Sequence, residues 1–223
     1  MKNSTGLVGV IAQDTGRFTQ FASSLTGLIL PGKSRITWQI GHSVASNCNA
    51  LCQQTLEGAY DWLWLLGDDH AFVPDLLTRL LETDADVAFP LCYTRIPPYR
   101  PVVFSENREG LRRPLSLDSL GEQRDVGIHS GGSAGVLIRR HVLEGLEEPW
   151  FQAGTQEAGG RMEMGEDLYF CDRAREAGFS LKVNLNCLLG HMTTAVVWPL
   201  RQPDGWTCGL SLSGGLQVSL PKP

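Results

Sequence analysis

The feature that most constrains this chain is a repeated pairing of short apolar runs with stretches of helical period. Gly6–Ala12 (GLVGVIA) contains no polar side chain, and Asp61–Leu66 (DWLWLL) and Asp86–Leu91 (DVAFPL) carry a charge only at their first residue. Runs of this length, apolar at successive rather than alternate positions, suit strands buried on both faces. After the first run, Phe18, Phe21, Leu25, Leu28 and Ile29 recur at three- and four-residue spacing until Pro31-Gly32 stops them. Arg35–Ile40 reads as a second strand and Ser46–Leu56 as a helix with Ser46 or Asn47 at its N-cap. Pro74 opens a further helix through Glu82, as a first-turn proline does. This alternation predicts an α/β fold: a mostly parallel central sheet, right-handed crossovers and helices on both faces.

From Cys92 to Gly127 the rhythm breaks, and Pro97, Pro98, Pro101 and Pro114 among arginines predict loops and short strands. Regularity returns with a strand over Ser133–Arg139, a short helix over Arg140–Leu146, a helix over Glu166–Ala177 and a strand over Phe179–Leu185. The Gly-rich segment Gln152–Gly165 reads as a loop over a site, and the chain after Pro203 has no strong pattern. The expectation is one domain over 1–223, with halves at 6–91 and 92–200 and a tail at 201–223.

Composition narrows the function classes. With 19 Lys and Arg against 24 Asp and Glu, a net charge of −5 argues against a protein that grips DNA or RNA by counterion release. The longest uncharged stretch, Ile36–Leu56, is studded with His, Ser, Asn and Gln and predicts no membrane span. Asp14 and Arg17 follow the first apolar run too closely for a signal peptide. Six scattered cysteines form no disulfide framework, so the expectation is a soluble protein of a reducing cytoplasm. Cys48, Cys52 and His42 read as buried thiols and a neighbouring histidine rather than a metal set.

In open parallel sheets ligands bind beyond the carboxyl ends of the strands, which is where Asp68-Asp69-His70 falls. Carboxylate with imidazole suits Mn²⁺ or a similar ion, whose open positions would take phosphate oxygens. The plainer reading is an acidic turn capping the helix at Pro74. Glu166-Asp167 is a second acidic pair, equally suited to complementing a helix dipole. His191 follows the strand ending at Leu185, again at a ligand-side position, with His129 a lesser candidate. Ser130-Gly131-Gly132-Ser133-Ala134-Gly135 lets backbone approach a ligand but lacks the lysine of a phosphate-binding loop, which disfavours Walker-type hydrolysis. No Gly-x-Ser-x-Gly elbow supports an α/β-hydrolase.

Taken in order, the strand Gly6–Ala12, Asp68-Asp69-His70, Phe72-Val73-Pro74, the aromatic and proline-rich stretch Tyr93–Pro101, Ser130-Gly131-Gly132, Gly165-Glu166-Asp167 and Gly190-His191 resemble GT-A glycosyltransferases that use nucleotide sugars, especially small bacterial and phage-type members. The likeness spans roughly residues 6–200. It implies a GT-A (Rossmann-like) fold with a nucleotide-binding half at 6–91 and an acceptor and catalytic half at 92–200. Asp68-Asp69-His70 is an Asp-x-His variant of the Asp-x-Asp motif, as in polypeptide N-acetylgalactosaminyltransferases. By that likeness Asp68, His70 and His191 would hold Mn²⁺ or Mg²⁺, with Asp69 able to stand in for either partner. The same likeness places Ala12, Gln13, Asp14, Asn47 and Asn49 around the donor nucleoside, Asp68, Asp69 and Arg95 at the diphosphate, and Gly131 and Gly132 at the sugar. A UDP-sugar is the foremost donor implied. Charge on the leaving phosphate would be stabilised by the ion, and a carboxylate would take the acceptor's proton, Asp167 first and Glu166 second. The acceptor is a glycan, a lipid-linked sugar, a protein or a modified DNA base. Alternatives are a nucleotidyltransferase that makes a sugar nucleotide and a non-catalytic sugar-nucleotide-binding module.

Overall fold

A computed structural model describes residues 4–13, 18–95, 98–107, 109–154, 165–193, 196–211 and 217–219. Along the chain run β1 (Gly6–Ala12), α1 (Thr19–Thr26), β2 (Arg35–Ile40), α2 (Val44–Glu57), β3 (Trp62–Gly67), β4 (His70–Ala71), α3 (Leu76–Leu81) and β5 (Val87–Leu91). The middle contributes β6 (Val103–Glu106), β7 (Arg112–Pro114), β8 (Asp125–Gly127), β9 (Ser130–Gly131), β10 (Leu137–Arg139) and α4 (Arg140–Gly145). The last part adds α5 (Glu166–Glu176), β11 (Leu181–Leu188), β12 (Gly190–Met192), β13 (Val196–Gln202), β14 (Gly205–Ser211) and β15 (Gln217–Ser219).

The strands form a seven-stranded sheet of order β2-β1-β3-β10-β5-β11-β8, a five-stranded sheet of order β15-β14-β13-β12-β4 and a three-stranded sheet of order β7-β6-β9. Successive residues of β1 and β3 go to opposite faces, and both faces are covered. Leu7, Leu63 and Leu65 pack with Cys48 and Leu51 of α2, Val142 of α4 and Phe170 of α5. Val8, Val10, Trp62, Trp64 and Leu66 pack with Phe21 of α1 and Leu76, Leu77 and Leu80 of α3. Burial on both sides is why these runs are apolar without alternation.

The expectation of a mostly parallel, Rossmann-like GT-A sheet is not met. Among the described residues only the β1–β2, β1–β3 and β5–β11 pairs run parallel. β10 enters antiparallel to both β3 and β5, and β8 lies antiparallel on β11. The five-stranded and three-stranded sheets are antiparallel among the described residues. The fold is therefore mixed α/β with several sheets. β10 takes only Leu137–Arg139 of the predicted Ser133–Arg139 strand, because Gly135 adopts φ +69° and turns residues 133–136 into a loop.

Other boundaries shift for identifiable reasons. Ser43, not Ser46 or Asn47, caps α2: its Oγ accepts from the Ser46 N–H at 3.2 Å. The expected tail at 201–223 supplies the turn and second strand of the β13–β14 hairpin, in which Gln202 pairs with Gly205 across Pro203-Asp204. Trp206, Thr207 and Cys208 are buried there. All six cysteines are free and buried, Cys48 and Cys52 within the main core. Among the described residues no helix is long and apolar enough to cross a membrane. Asp14, Arg17, Pro97, Arg108 and most of the 152–165 segment, residues 155–164, lie outside the described residues.

Candidate functional site

Strands β1, β2, β3, β5 and β11 point the same way, so their carboxyl ends meet at one edge of the large sheet. A cleft of about 360 Å³ opens there. Ala12 and Gln13 enter it after β1, His42 and Asn47 after β2, Asp69 and His70 after β3, Arg95 after β5 and His191 after β11. Ser133 and Ala134 reach it from the loop before β10, and Glu166 from the start of α5. A second hollow of about 440 Å³ includes Arg79, Arg124 and Arg201. Its cations are largely compensated, since Arg79 pairs with Asp75 and Arg124 with Glu82 and Asp125.

Gly67 permits the tight turn after β3: a Cβ there would lie 2.8 Å from Asp69 Oδ1 and 3.1 Å from the His70 ring. Cross-strand pairing of β4 with β12 sets His70 directly opposite His191, with ring centroids 5.2 Å apart. Asp69 reaches both: its Oδ2 lies 3.5 Å from His191 Nε2 and its Oδ1 3.9 Å from His70 Nε2. Arg95 Nη1 donates to Asp69 Oδ2 at 2.6 Å. Asp68 is buried but does not line the cleft, so the carboxylate that joins the histidines is that of Asp69.

These residues offer suitable donors for a divalent ion. His191 Nδ1–H donates to the Tyr93 carbonyl at 3.0 Å, which turns Nε2 toward the Asp69 carboxylate. A backbone carbonyl is a usual outer partner of a ligating histidine. Burial pushes the His70 pKa down to about 4, which keeps this ring uncharged at neutral pH. Its Nδ1 accepts from the Gly67 N–H at 3.0 Å. Ligation through either nitrogen would release that bond, a loss of about 1 kcal/mol that is small beside a coordination bond.

The remaining predicted residues divide. Asn47 is buried in the cleft wall; its Nδ2 donates to the His42 carbonyl at 3.4 Å, while its Oδ1 has no hydrogen-bond partner among the described residues. Such an acceptor is suited to a ligand N–H. Asn49 faces elsewhere: Nδ2 donates to the Phe151 carbonyl at 2.8 Å and Oδ1 accepts the Phe151 N–H at 3.0 Å, so its amide is spent on fixing backbone. Gly131 is required by packing, since a Cβ would lie 2.7 Å from the Phe89 ring, and neither Gly131 nor Gly132 lines the cleft. Their successors Ser133 and Ala134 do.

Of the acidic pair, Glu166 lines the cleft, whereas Asp167 Oδ1 accepts the Leu168 N–H at 2.8 Å within its own helix start. Burial pushes both carboxyls above the ordinary range, and the charge of Asp167 adds to the shift at Glu166. His129 sits apart in a charged network, 2.6 Å from Arg175 and 3.3 Å from Glu106. Sequence reasoning missed Cys92, at the end of β5, and His42 as a cleft residue. The signal for Cys92 was its place, one residue past a fully buried strand whose end shares an edge with β3.

No protein-family model and no curated protein matches this chain. Among solved structures it is similar to one described as the crystal structure of A197 from STIV, at 16% identity and a TM-score of 0.56. The match covers 86% of this chain and 89% of that one, and at this identity the likeness is one of fold.

Proposed function

We propose that the protein is a metal-dependent glycosyltransferase that moves a sugar from a nucleotide-diphosphate donor, foremost a UDP-sugar, to an acceptor hydroxyl. The observation that carries the reading is the convergence, in one cleft, of Asp69, His70 and His191 beside Arg95 with a half-buried carboxyl at Glu166. A diphosphate needs compensated charge, and this cleft offers both a cation-holding set and a guanidinium.

Asp69, His70 and His191 would hold the ion. When bound, Mn²⁺ or Mg²⁺ supplies Lewis-acid stabilisation of the negative charge that develops on the leaving diphosphate. Arg95 shares its guanidinium between Asp69 and a phosphate oxygen. Asn47 Oδ1 accepts an N–H from the nucleobase, and Gln13 and Ala12 border the nucleoside. Glu166 takes the proton of the acceptor hydroxyl; its raised pKa makes it a stronger base than an exposed glutamate. Asp167 acts through position, holding the first turn of α5 that presents Glu166.

Calorimetric titration of UDP with and without Mn²⁺ tests this reading. Binding is expected only with the ion, and Asp69→Ala and His191→Ala are expected to lose it while circular dichroism stays native. Equal binding in excess chelator, or unchanged affinity in both variants, contradicts the reading. Release of pyrophosphate from a nucleoside triphosphate and a sugar phosphate would favour the nucleotidyltransferase alternative instead.

A further inference from the structure

Behind the two cleft histidines lies a buried sulfur that the proposed reaction does not use. We propose that Cys92 Sγ is itself a metal ligand, completing with His70 and His191 a site that prefers a thiophilic divalent ion, Zn²⁺ or Co²⁺, over Mg²⁺. The inference rests on the reading that the two histidines hold an ion, but not on sugar transfer.

The geometry is assembled by the fold rather than by sequence neighbours. One ligand atom each from His70, Cys92 and His191 lies within 4.8 Å of the other two. His70 and His191 are paired across β4 and β12, while Cys92 follows β5, which holds the segment leading into β12 in place through Leu189 N–H donation to Leu91 O at 3.0 Å. Three separate strands, β4, β5 and β12, thus bring the three side chains together without an ion, which is much of the preorganisation a metal site needs.

The Tyr93 carbonyl joins the outer partners of two of these ligands. It accepts His191 Nδ1–H at 3.0 Å and lies 3.6 Å from Cys92 Sγ, which donates weakly to it. The first bond turns His191 Nε2 inward. The second is easily given up when the thiol ionises: the S–H bond breaks, its proton leaves to solvent, and the sulfur's electron pair forms the bond to the ion. Cys92 is fully buried and burial pushes its thiol up to about 12, so without an ion it stays a thiol. A bound cation reverses that preference outright.

Two imidazoles and a thiolate form a borderline-to-soft set, which suits zinc and cobalt and is poor for magnesium. The Asp69 carboxylate, 3.5 Å from His191 Nε2, would add a fourth protein donor to the two imidazoles and the thiolate.

Cobalt spectroscopy on the full chain tests this without any sugar nucleotide. Titration with Co²⁺ is expected to produce a near-ultraviolet thiolate-to-cobalt charge-transfer band that Zn²⁺ abolishes by competition and excess Mg²⁺ does not. In Cys92→Ser the band is expected to vanish. Zn²⁺ affinity should fall by at least the roughly 10–100-fold that losing even an outer partner costs. Cys92→Ala serves as a second variant, with circular dichroism confirming the fold of each. Absence of Co²⁺ and Zn²⁺ binding to the wild type overturns the proposal, as does a charge-transfer band that survives in both folded variants. Failure of nucleotide-sugar turnover with every ion would defeat the glycosyltransferase reading, whereas ligation by Cys92 stands or falls on the cobalt spectrum alone.

Discussion

Asp68 and Asp69 are adjacent carboxylates with different surroundings, and the turn between β3 and β4 decides which one faces the histidines. The acidic triplet could be placed at a strand end from its sequence context. Which carboxylate turns inward could not be read there, because that depends on the close approach that Gly67 allows. Likewise Glu166 and Asp167 are indistinguishable as a string, yet one lines the cleft and the other binds its own helix start. Glu166→Gln is therefore expected to lower kcat by roughly 10²–10⁴ with donor affinity retained, a loss of general-base size. In the wild type, activity should rise with pH through a Glu166 pKa above the ordinary 4.5, and the variant should lose that acidic limb. Stability runs the other way. A raised carboxyl pKa means that the folded state binds more protons, so its contribution is full below the ordinary value and is lost as pH rises through the raised one. Glu166→Gln should thus unfold no more easily than wild type at neutral pH in a urea titration; a large destabilisation there would assign Glu166 a structural role.

At the scale of elements, local patterns were legible where burial alone makes them. β1 and β2 have the bounds that apolar and polar runs predict, and α5 begins at the expected Glu166. Ends set by side-chain partners were harder to read. Asp86 shows why: it precedes β5, and its Oδ2 accepts the Ser180 N–H at 2.8 Å and the Ser180 hydroxyl at 2.7 Å, while Oδ1 lies 2.8 Å from His141 Nε2 in α4. Partial burial disfavours its charge, but these hydrogen bonds outweigh it and hold the carboxyl below its ordinary value of 3.8. Asp86→Ala should cost about 2 kcal/mol of unfolding free energy at pH 7, measured by urea denaturation. Because the pKa is depressed, the wild type's advantage should persist above pH 3.8 and disappear as pH falls through the folded value. Asn49→Ala should likewise lower the unfolding free energy, by about 1–3 kcal/mol, through loss of both Phe151 bonds. Asn47→Ala should instead weaken nucleotide binding at nearly unchanged stability. Unchanged UDP affinity in Asn47→Ala would remove that residue from the nucleoside contact. The β13–β14 hairpin carried a readable Pro203-Asp204-Gly205 turn signal, but its strands mix polar and apolar residues without clean alternation.

For the whole molecule, apolar runs reveal burial but not direction. Leu137–Arg139 is as apolar at its start as β3, and only its place between β3 and β5, entered through the Gly135 loop, makes it antiparallel. The parallel-sheet expectation failed at that step. Looking for ligands at the carboxyl ends of strands nevertheless led to the same edge, because five strand ends still converge there. Cys92 belongs to no motif in the chain, and it is that convergence which brings it to the two histidines. Sugar transfer from a nucleotide at this edge, with a divalent ion, is open to a single decisive assay: free nucleoside diphosphate released from a panel of nucleotide sugars, with and without Mn²⁺, Mg²⁺, Co²⁺ and Zn²⁺. Ion-dependent release from at least one donor, abolished by chelator and by His191→Ala, is the expected result. No release from any donor with any ion, from folded protein supplied with glycan, lipid-linked, protein and modified-DNA acceptors, would contradict it.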